Sequence, residues 1–288
     1  MMGTVIKAAR WIRDIGRPLW SVRVGRYSVW HHLSRLYYSL PFAPQHVHLP
    51  WGHILRFPKG FVGRLEYLAG EYEPELTRIV MQRVHQGMTV VDGGANIGYY
   101  TLLFSHLVGM SGRVYAFEPD PANYRALLDN ISTNGLVNVK PFEYGLGRAT
   151  GMASFWATGG VCSGFSPESI PTGQEITVQV VAIDDILSDI DQLHFVKLDV
   201  EGVELECLEG MRNTIQRSPN ISVVLEVNLN KLGVGAGTMF VRLREFGFSE
   251  IYAIEDGCHV TDENDLSNLF NSNVAKGKHV FNLLCVRR

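Results

Sequence analysis

From Pro74 onward the apolar positions of the chain alternate between helical and strand periods. Pro74 opens a stretch with Leu76, Ile79, Val80 and Val84 on one helical face, and Met88 to Asp92 is a short apolar run. Tyr99 to Val108 returns to helical spacing, Val114 to Phe117 is a second apolar run, and Pro121 to Asn134 is again helical, with Tyr124, Leu127, Leu128 and Ile131 facing inward. A strand follows near Val139 to Tyr144. Strand, helix, strand in this order predicts parallel pairing with right-handed crossovers. Phe195 to Val200 and Ser222 to Val227 are continuous apolar runs, as expected of central strands buried on both faces, with a helix over Val203 to Arg212 between them. Glu250 to Ile254 and Val280 to Val286 supply the last two strands. Residues 151–174 are rich in Gly, Ser and Pro and precede an alternating run from Ile176 to Ile183, which predicts an inserted hairpin.

Composition adds a domain count and a charge asymmetry. With 288 residues, 46% of them hydrophobic, the chain supports one large domain with a sizeable core. Residues 1–40 hold seven basic residues and one acid, so this stretch is basic while the rest of the chain is acidic. Val5, Ala8, Ala9, Ile12 and Ile15 recur there at helical spacing until Pro18 ends the pattern. We read residues 1–50 as a basic amphipathic extension and 51–288 as the main domain. The apolar stripe reads as a helix packed on its own domain, and docking to an anionic membrane surface or a partner is the functional alternative. No basic and aromatic alternation continues into the acidic body, which argues against nucleic acid. The basic residues interrupt any signal peptide or membrane span near the N-terminus, and Cys162, Cys207, Cys258 and Cys285 show no metal or disulfide spacing, so a cytoplasmic protein is expected. His46, His48 and His53 lack a third or fourth ligand for a metal.

The first apolar run ends in VVDGGANIGYYTL. Gly93, Gly94 and Gly98 space a loop between strand and helix, and Glu118 ends the next strand twenty residues beyond Gly98, where a carboxylate suits ribose hydroxyls. These features alone fit either NAD or S-adenosylmethionine. Asp92 separates the two: a dinucleotide would bring its pyrophosphate to the same crevice, and two like charges a few ångströms apart in a partly dry site cost on the order of several kcal/mol. The ammonium and sulfonium of S-adenosylmethionine are welcome there, and the helix N-terminus can receive the methionine carboxylate. Asn96 tolerates left-handed backbone.

HFVKLDVEGVELECLEGM, residues 194–211, ends a second buried strand in Asp199 and Glu201. Asp199 falls at the switch point where ligands bind, whereas Glu204 is better read as a helix-capping acid. Lys197, inside the apolar run, either points to the strand edge or pairs with an acid. Glu226 and Asn228 close the following strand in the same crevice.

VVDGGANIGYYTL, VYAFEPDPANYRALLDNI and FVKLDVEGVELECLEGM, preceded by GEYEPEL, together resemble the successive signatures of the FkbM-type S-adenosylmethionine-dependent methyltransferases over roughly residues 60–230. The resemblance implies an α/β, Rossmann-like class I methyltransferase sheet of seven mostly parallel strands with an antiparallel last strand. It also implies O-methylation of a sugar, glycan or polyketide-like small molecule. Asp92, Gly94, Asn96 and Gly98 match the donor loop, Glu118 the ribose acid and Asp199 the acid near the methionine end; Glu143 and Tyr144 occupy the place where adenine is contacted. An alcohol acceptor needs its proton removed, and Glu201 and Glu226 are the general-base candidates, with Asp199 as the alternative. No paired acidic motif supports a metal at Asp199, Glu226 and Asn228. The rival readings are an NAD-dependent oxidoreductase, opposed by Asp92, and a non-catalytic adaptor working through the basic N-terminal stretch at a membrane surface. Residues 157–174 and the tail after residue 229 are expected to line the acceptor pocket.

Overall fold

The computed structural model describes residues 23–24, 27–28, 45–58, 61, 67, 72–160, 163–165, 173–231 and 234–288. The amphipathic helix expected before Pro18 lies outside the described residues, as do Cys162 and the first two residues of GEYEPEL. Within the basic stretch only β1 (Arg23–Val24) and β2 (Tyr27–Ser28), an antiparallel pair, are described. Two further strands, β3 (His46–His48) and β4 (Ile54–Arg56), form a hairpin.

Then follow α1 (Pro74–Arg83), β5 (Thr89–Gly93), α2 (Tyr99–Val108), β6 (Arg113–Phe117), α3 (Pro121–Thr133) and β7 (Val139–Phe142). The insert comprises β8 (Gly145–Leu146), β9 (Gly151–Ala157) and β10 (Gln174–Val181) and leads into α4 (Ile183–Ile186). The second half runs β11 (Phe195–Leu198), α5 (Glu204–Glu209), α6 (Arg212–Arg217), β12 (Ser222–Asn228) and α7 (Ala236–Glu245). It ends with β13 (Glu250–Ala253), β14 (Cys258–His259), α8 (Glu263–Ala275) and β15 (Val280–Val286).

The main sheet has the order β14-β13-β15-β12-β11-β5-β6-β7. Strands β7, β6, β5, β11 and β12 are parallel neighbours, and β15 runs antiparallel between β12 and β13. This is the class I methyltransferase sheet, extended by the two-residue edge strand β14. The continuous apolar runs of the central strands serve two cores at once, because successive side chains point to opposite faces. Val91, Val196, Leu198, Val223 and Leu225 pack in one cluster, while Val90, Phe195, Val224 and Leu284 join α2 through Tyr100 and Phe104 in the other.

Helix α3 departs from the expected apolar face. Its fully buried stripe is Asn123, Leu127 and Asn130, whereas Leu128, one position round the helix, is 39% exposed. The asparagines are buried because they serve as backbone partners. Asn130 accepts from the Arg56 N–H at 2.7 Å and donates to the carbonyls of Arg56 and Ile97, and Asn134 accepts from and donates to Ile54. Strand β4 therefore pairs with amide side chains along α3 on the side away from β3. Leu55, Phe57, Ile97 and Leu102 close an apolar cluster beneath it. The β3–β4 hairpin is thereby held on α3. Among the described residues no helix is long and apolar enough to cross a membrane.

Candidate active site

Strand β5 delivers Asp92 and Gly93 to the carboxyl edge of the sheet, and the chain then turns sharply into α2. Gly94 has φ +75°, and a Cβ there would lie 1.9 Å from the Asp199 carbonyl oxygen, so the loop lies against β11 only because that position has no side chain. The Gly94 and Ala95 N–H groups donate to the Phe117 carbonyl at 3.0 and 2.9 Å, which ties the loop to β6. Asn96, at φ +51°, donates its N–H to Glu118 Oε2 at 2.7 Å, and Asp120 donates its N–H to Oε1 at 2.9 Å. Each carboxylate oxygen of Glu118 keeps a second lone pair for a ligand. Burial pushes the Glu118 carboxyl up to about 8 despite these two donors.

Asp92 is fully buried. Its Oδ2 accepts from Thr101 Oγ1 at 2.5 Å, and its Oδ1 has no hydrogen-bond partner. Burial raises its pKa, with Lys197 and Thr101 opposing. Lys197 stands beside it in register on β11, 5.0 Å from the Tyr100 ring centroid, and its Nζ donates to Asp199 Oδ2 at 2.9 Å. Of the two roles open to this lysine, pairing with an acid is the one observed. Burial would lower its pKa, but Asp199, Asp92 and Glu73 outweigh that and hold it above the usual lysine range.

Glu201 has φ +61°, a left-handed conformation unusual for a side chain of its size, and its Oε2 accepts from Lys231 Nζ at 2.5 Å. Burial and then Asp199 raise its pKa against the pull of Lys231. Glu226 lies behind, at the end of β12; burial, Asp199, Glu73 and Glu201 drive its carboxyl well above the usual range. Glu204, the first residue of α5, accepts from the Gly202 N–H at 3.0 Å and so ties down the preceding turn; no side chain caps α5 itself.

One cleft gathers most of the expected residues: Asp92, Gly94 and Asn96 from the loop, Glu118 and Tyr144 at one end, Asp199 and Glu201 at the other. Gly98 acts from outside the lining, at φ +99° as the residue that starts α2. Glu143 is exposed and does not line the cleft, because it points away one residue before Tyr144, which does. Glu226 is likewise outside the lining. The turn at 158–160 and 163–165, expected beside the acceptor, instead meets the Glu118 end of the cleft through Gly160 and Ser163. Among the described residues no three His, Cys, Asp or Glu side chains form a metal-ligand group.

Residues 92–250 match the profile described as the methyltransferase FkbM domain. The chain belongs to the FkbM methyltransferase family. It is similar to the hexuronic acid methyltransferase AglP of Haloferax volcanii, 30% identical over 165 residues that cover 57% of this chain and 65% of that protein. It is also similar to the 31-O-demethyl-FK506 methyltransferase FkbM of Streptomyces tacrolimicus, 29% identical over 57% of this chain and 74% of that one. The chain thus spans somewhat under two thirds of the Haloferax relative. Among solved structures, the FkbM methyltransferase of Methylobacillus flagellatus is 18% identical with a TM-score of 0.42, covering 77% of this chain and 52% of that one.

The FkbM-like segment GEYEPEL contains Glu73 but assigns it no role. Glu73 precedes Pro74 in left-handed backbone at φ 42°, and its Oε2 is buried without a hydrogen-bond partner. Burial raises its carboxyl to about 7, with Lys197 lowering and Asp199 raising it. An acid placed immediately before a helix-opening proline was the available signal. The ring wall of Tyr67, Tyr72, Tyr99 and Tyr100 was also missed, since tyrosines at these spacings read as core.

Proposed function

We propose that this FkbM-family protein methylates a hydroxyl group of a sugar, glycan or polyketide-like acceptor with S-adenosylmethionine as donor. The observation that carries the reading is Asp92: a fully buried carboxylate with one oxygen free of partners, beside the glycine loop and facing the cleft. A free buried acceptor suits a cationic ligand and opposes a pyrophosphate. Glu73 Oε2, also buried without a partner though outside the cleft lining, adds negative charge beside Lys197. The names of the two relatives, which specify a hexuronic acid and 31-O-demethyl-FK506, support the acceptor class.

When bound, the donor supplies a methyl group activated by its sulfonium. The chain's residues do the rest. Glu118 accepts from the ribose hydroxyls, and Asp92 and Glu73 attract the cationic end of the donor. Lys197, bonded to Asp199, keeps these acids from repelling one another apart. The tyrosine wall excludes water and offers ring faces to positive charge. Glu201, the strand-end acid that lines the cleft, takes the proton from the acceptor hydroxyl onto a carboxylate oxygen; such a base typically supplies about a hundred- to ten-thousand-fold. Glu226, which lies outside the cleft lining, is the reserve candidate.

Calorimetry with S-adenosylhomocysteine and with NAD tests the reading. Binding of the former alone is expected; heat with NAD and none with S-adenosylhomocysteine overturns it. The acceptor is then found by a mass-spectrometric screen for gain of one CH2 across hydroxylated candidates. We further propose that the protein works in the cytoplasm. For its basic residues 1–40 the leading reading is a helix packed on the domain, so their deletion should leave liposome association unchanged; its loss would favour the alternative, contact with an anionic inner membrane surface.

A further inference from the structure

The inserted strands β9 and β10 carry a turn that reaches back to the start of α3. Asp120, 1% exposed, receives it there and divides its carboxylate between two tasks. Its Oδ1 accepts from the Ala122 N–H at 2.8 Å and caps α3. Its Oδ2 accepts from three groups of the turn: the Thr158 N–H at 3.1 Å, the Gly159 N–H at 2.9 Å and Ser163 Oγ at 2.6 Å. The next carbonyl, that of Gly160, accepts from Asn123 Nδ2 at 2.9 Å and from Asn96 Nδ2 at 3.3 Å. The turn is therefore bonded to the glycine loop on one side of Glu118 and to the first turn of α3 on the other.

Two further observations show what this end of the cleft would take. Phe155 and Phe165, in edge-to-face contact at 5.0 Å, line it together with Tyr144, which makes an aromatic surface suited to a flat base. Asn123, 1% exposed, also lines it, and with Nδ2 committed to Gly160 its Oδ1 is buried and has no partner. A buried acceptor without a donor is rare in folded proteins, and this one belongs to a residue lining the cleft, where a ligand can supply the donor.

We propose that the turn after β9, held by Asp120, is the base-side wall of the nucleoside pocket, and that Asn123 Oδ1 accepts a hydrogen bond from the donor's adenosine. This rests on the S-adenosylmethionine reading and extends it, because it makes the insert a part of donor recognition. Asp120 is a positioning residue, acting through the turn, and Asn123 a binding residue.

The Asp120→Asn variant separates wall from cap. Asparagine caps a helix as well as aspartate does, so Oδ1 can keep its task, but an NH2 group now faces the three donors of the turn. The melting temperature without ligand should stay near that of the wild type, while affinity for adenosine and for S-adenosylhomocysteine falls by the same factor, about tenfold. Asn123→Ala should weaken adenosine binding by a similar factor, and Ser163→Ala, remote from the cap, by about threefold. Wild-type protein that binds S-adenosylhomocysteine, with all three variants binding adenosine as tightly as it does, overturns the wall and leaves the donor reading standing. Wild-type protein that binds neither ligand overturns the donor reading itself.

Discussion

The two ends of the cleft are built on different principles. At the Glu118 end nearly every polar group is paired with backbone: both carboxylate oxygens of Glu118 accept N–H groups, and the loop N–H groups at Gly94 and Ala95 go to Phe117. At the Asp199 end acids accumulate around two lysines. Asp92 and Glu73 each keep an oxygen without a partner, and Glu201 holds a left-handed backbone. The first end is organised before any ligand arrives, which favours tight recognition of one constant molecule. The second end carries unpaired charge that a cationic ligand and a proton-bearing hydroxyl would relieve, which suits chemistry more than stability.

That contrast can be broken most severely at Gly94. Gly94→Ala would drive a methyl group into the Asp199 carbonyl, so we expect loss of donor binding and destabilisation of roughly 1–3 kcal/mol or more, seen by calorimetry and thermal melting. At the reactive end, Glu201→Gln should lower kcat by about a hundred- to ten-thousand-fold with donor affinity unchanged, while Glu226→Gln should cost far less; the reverse order in single-turnover assays would move the base to β12. Asp92→Asn should leave the fold intact, since it removes a buried charge, and weaken S-adenosylhomocysteine binding by about ten- to a hundredfold. The smallest effect is on pH dependence. Glu118 and Glu73, raised from an ordinary 4.5 to about 8 and about 7, hold protons in the folded state that the unfolded chain has released. Stability of the ligand-free protein should therefore fall as pH rises from 4.5 through that range, and saturating S-adenosylhomocysteine should flatten the slope in urea unfolding curves.

Much of this architecture is legible in the chain. The strand and helix periods from Pro74 to Val286 locate every strand of the main sheet except the two-residue β14, because burial on two faces imposes long apolar runs and helices impose a 3.6-residue spacing. VVDGGANIGYYTL, VYAFEPDPANYRALLDNI and FVKLDVEG place Asp92, Glu118, Asp199 and Glu201 at the ends of three parallel strands, and those three ends must lie on one edge. Less legible was α3, where Asn123 and Asn130 outrank Leu128 for burial. Their partners, the backbone of β4 and the turn at Gly160, lie dozens of residues away, and no local period announces them. Glu143 and Tyr144 illustrate the same limit, since which of two neighbours faces the cleft depends on the strand's final twist.

By itself, then, the sequence determined what is local and repeated: the order of strands and helices, the glycines of the loop, and the acids at strand ends. Only the tertiary structure decided which atoms are left without partners. It set Lys197 against Asp199, left one oxygen free on each of Asp92, Glu73 and Asn123, and brought the β9 turn to Asp120. Hydrogen-bond satisfaction is a property of groups brought together from distant segments, so it exists only once the chain has folded.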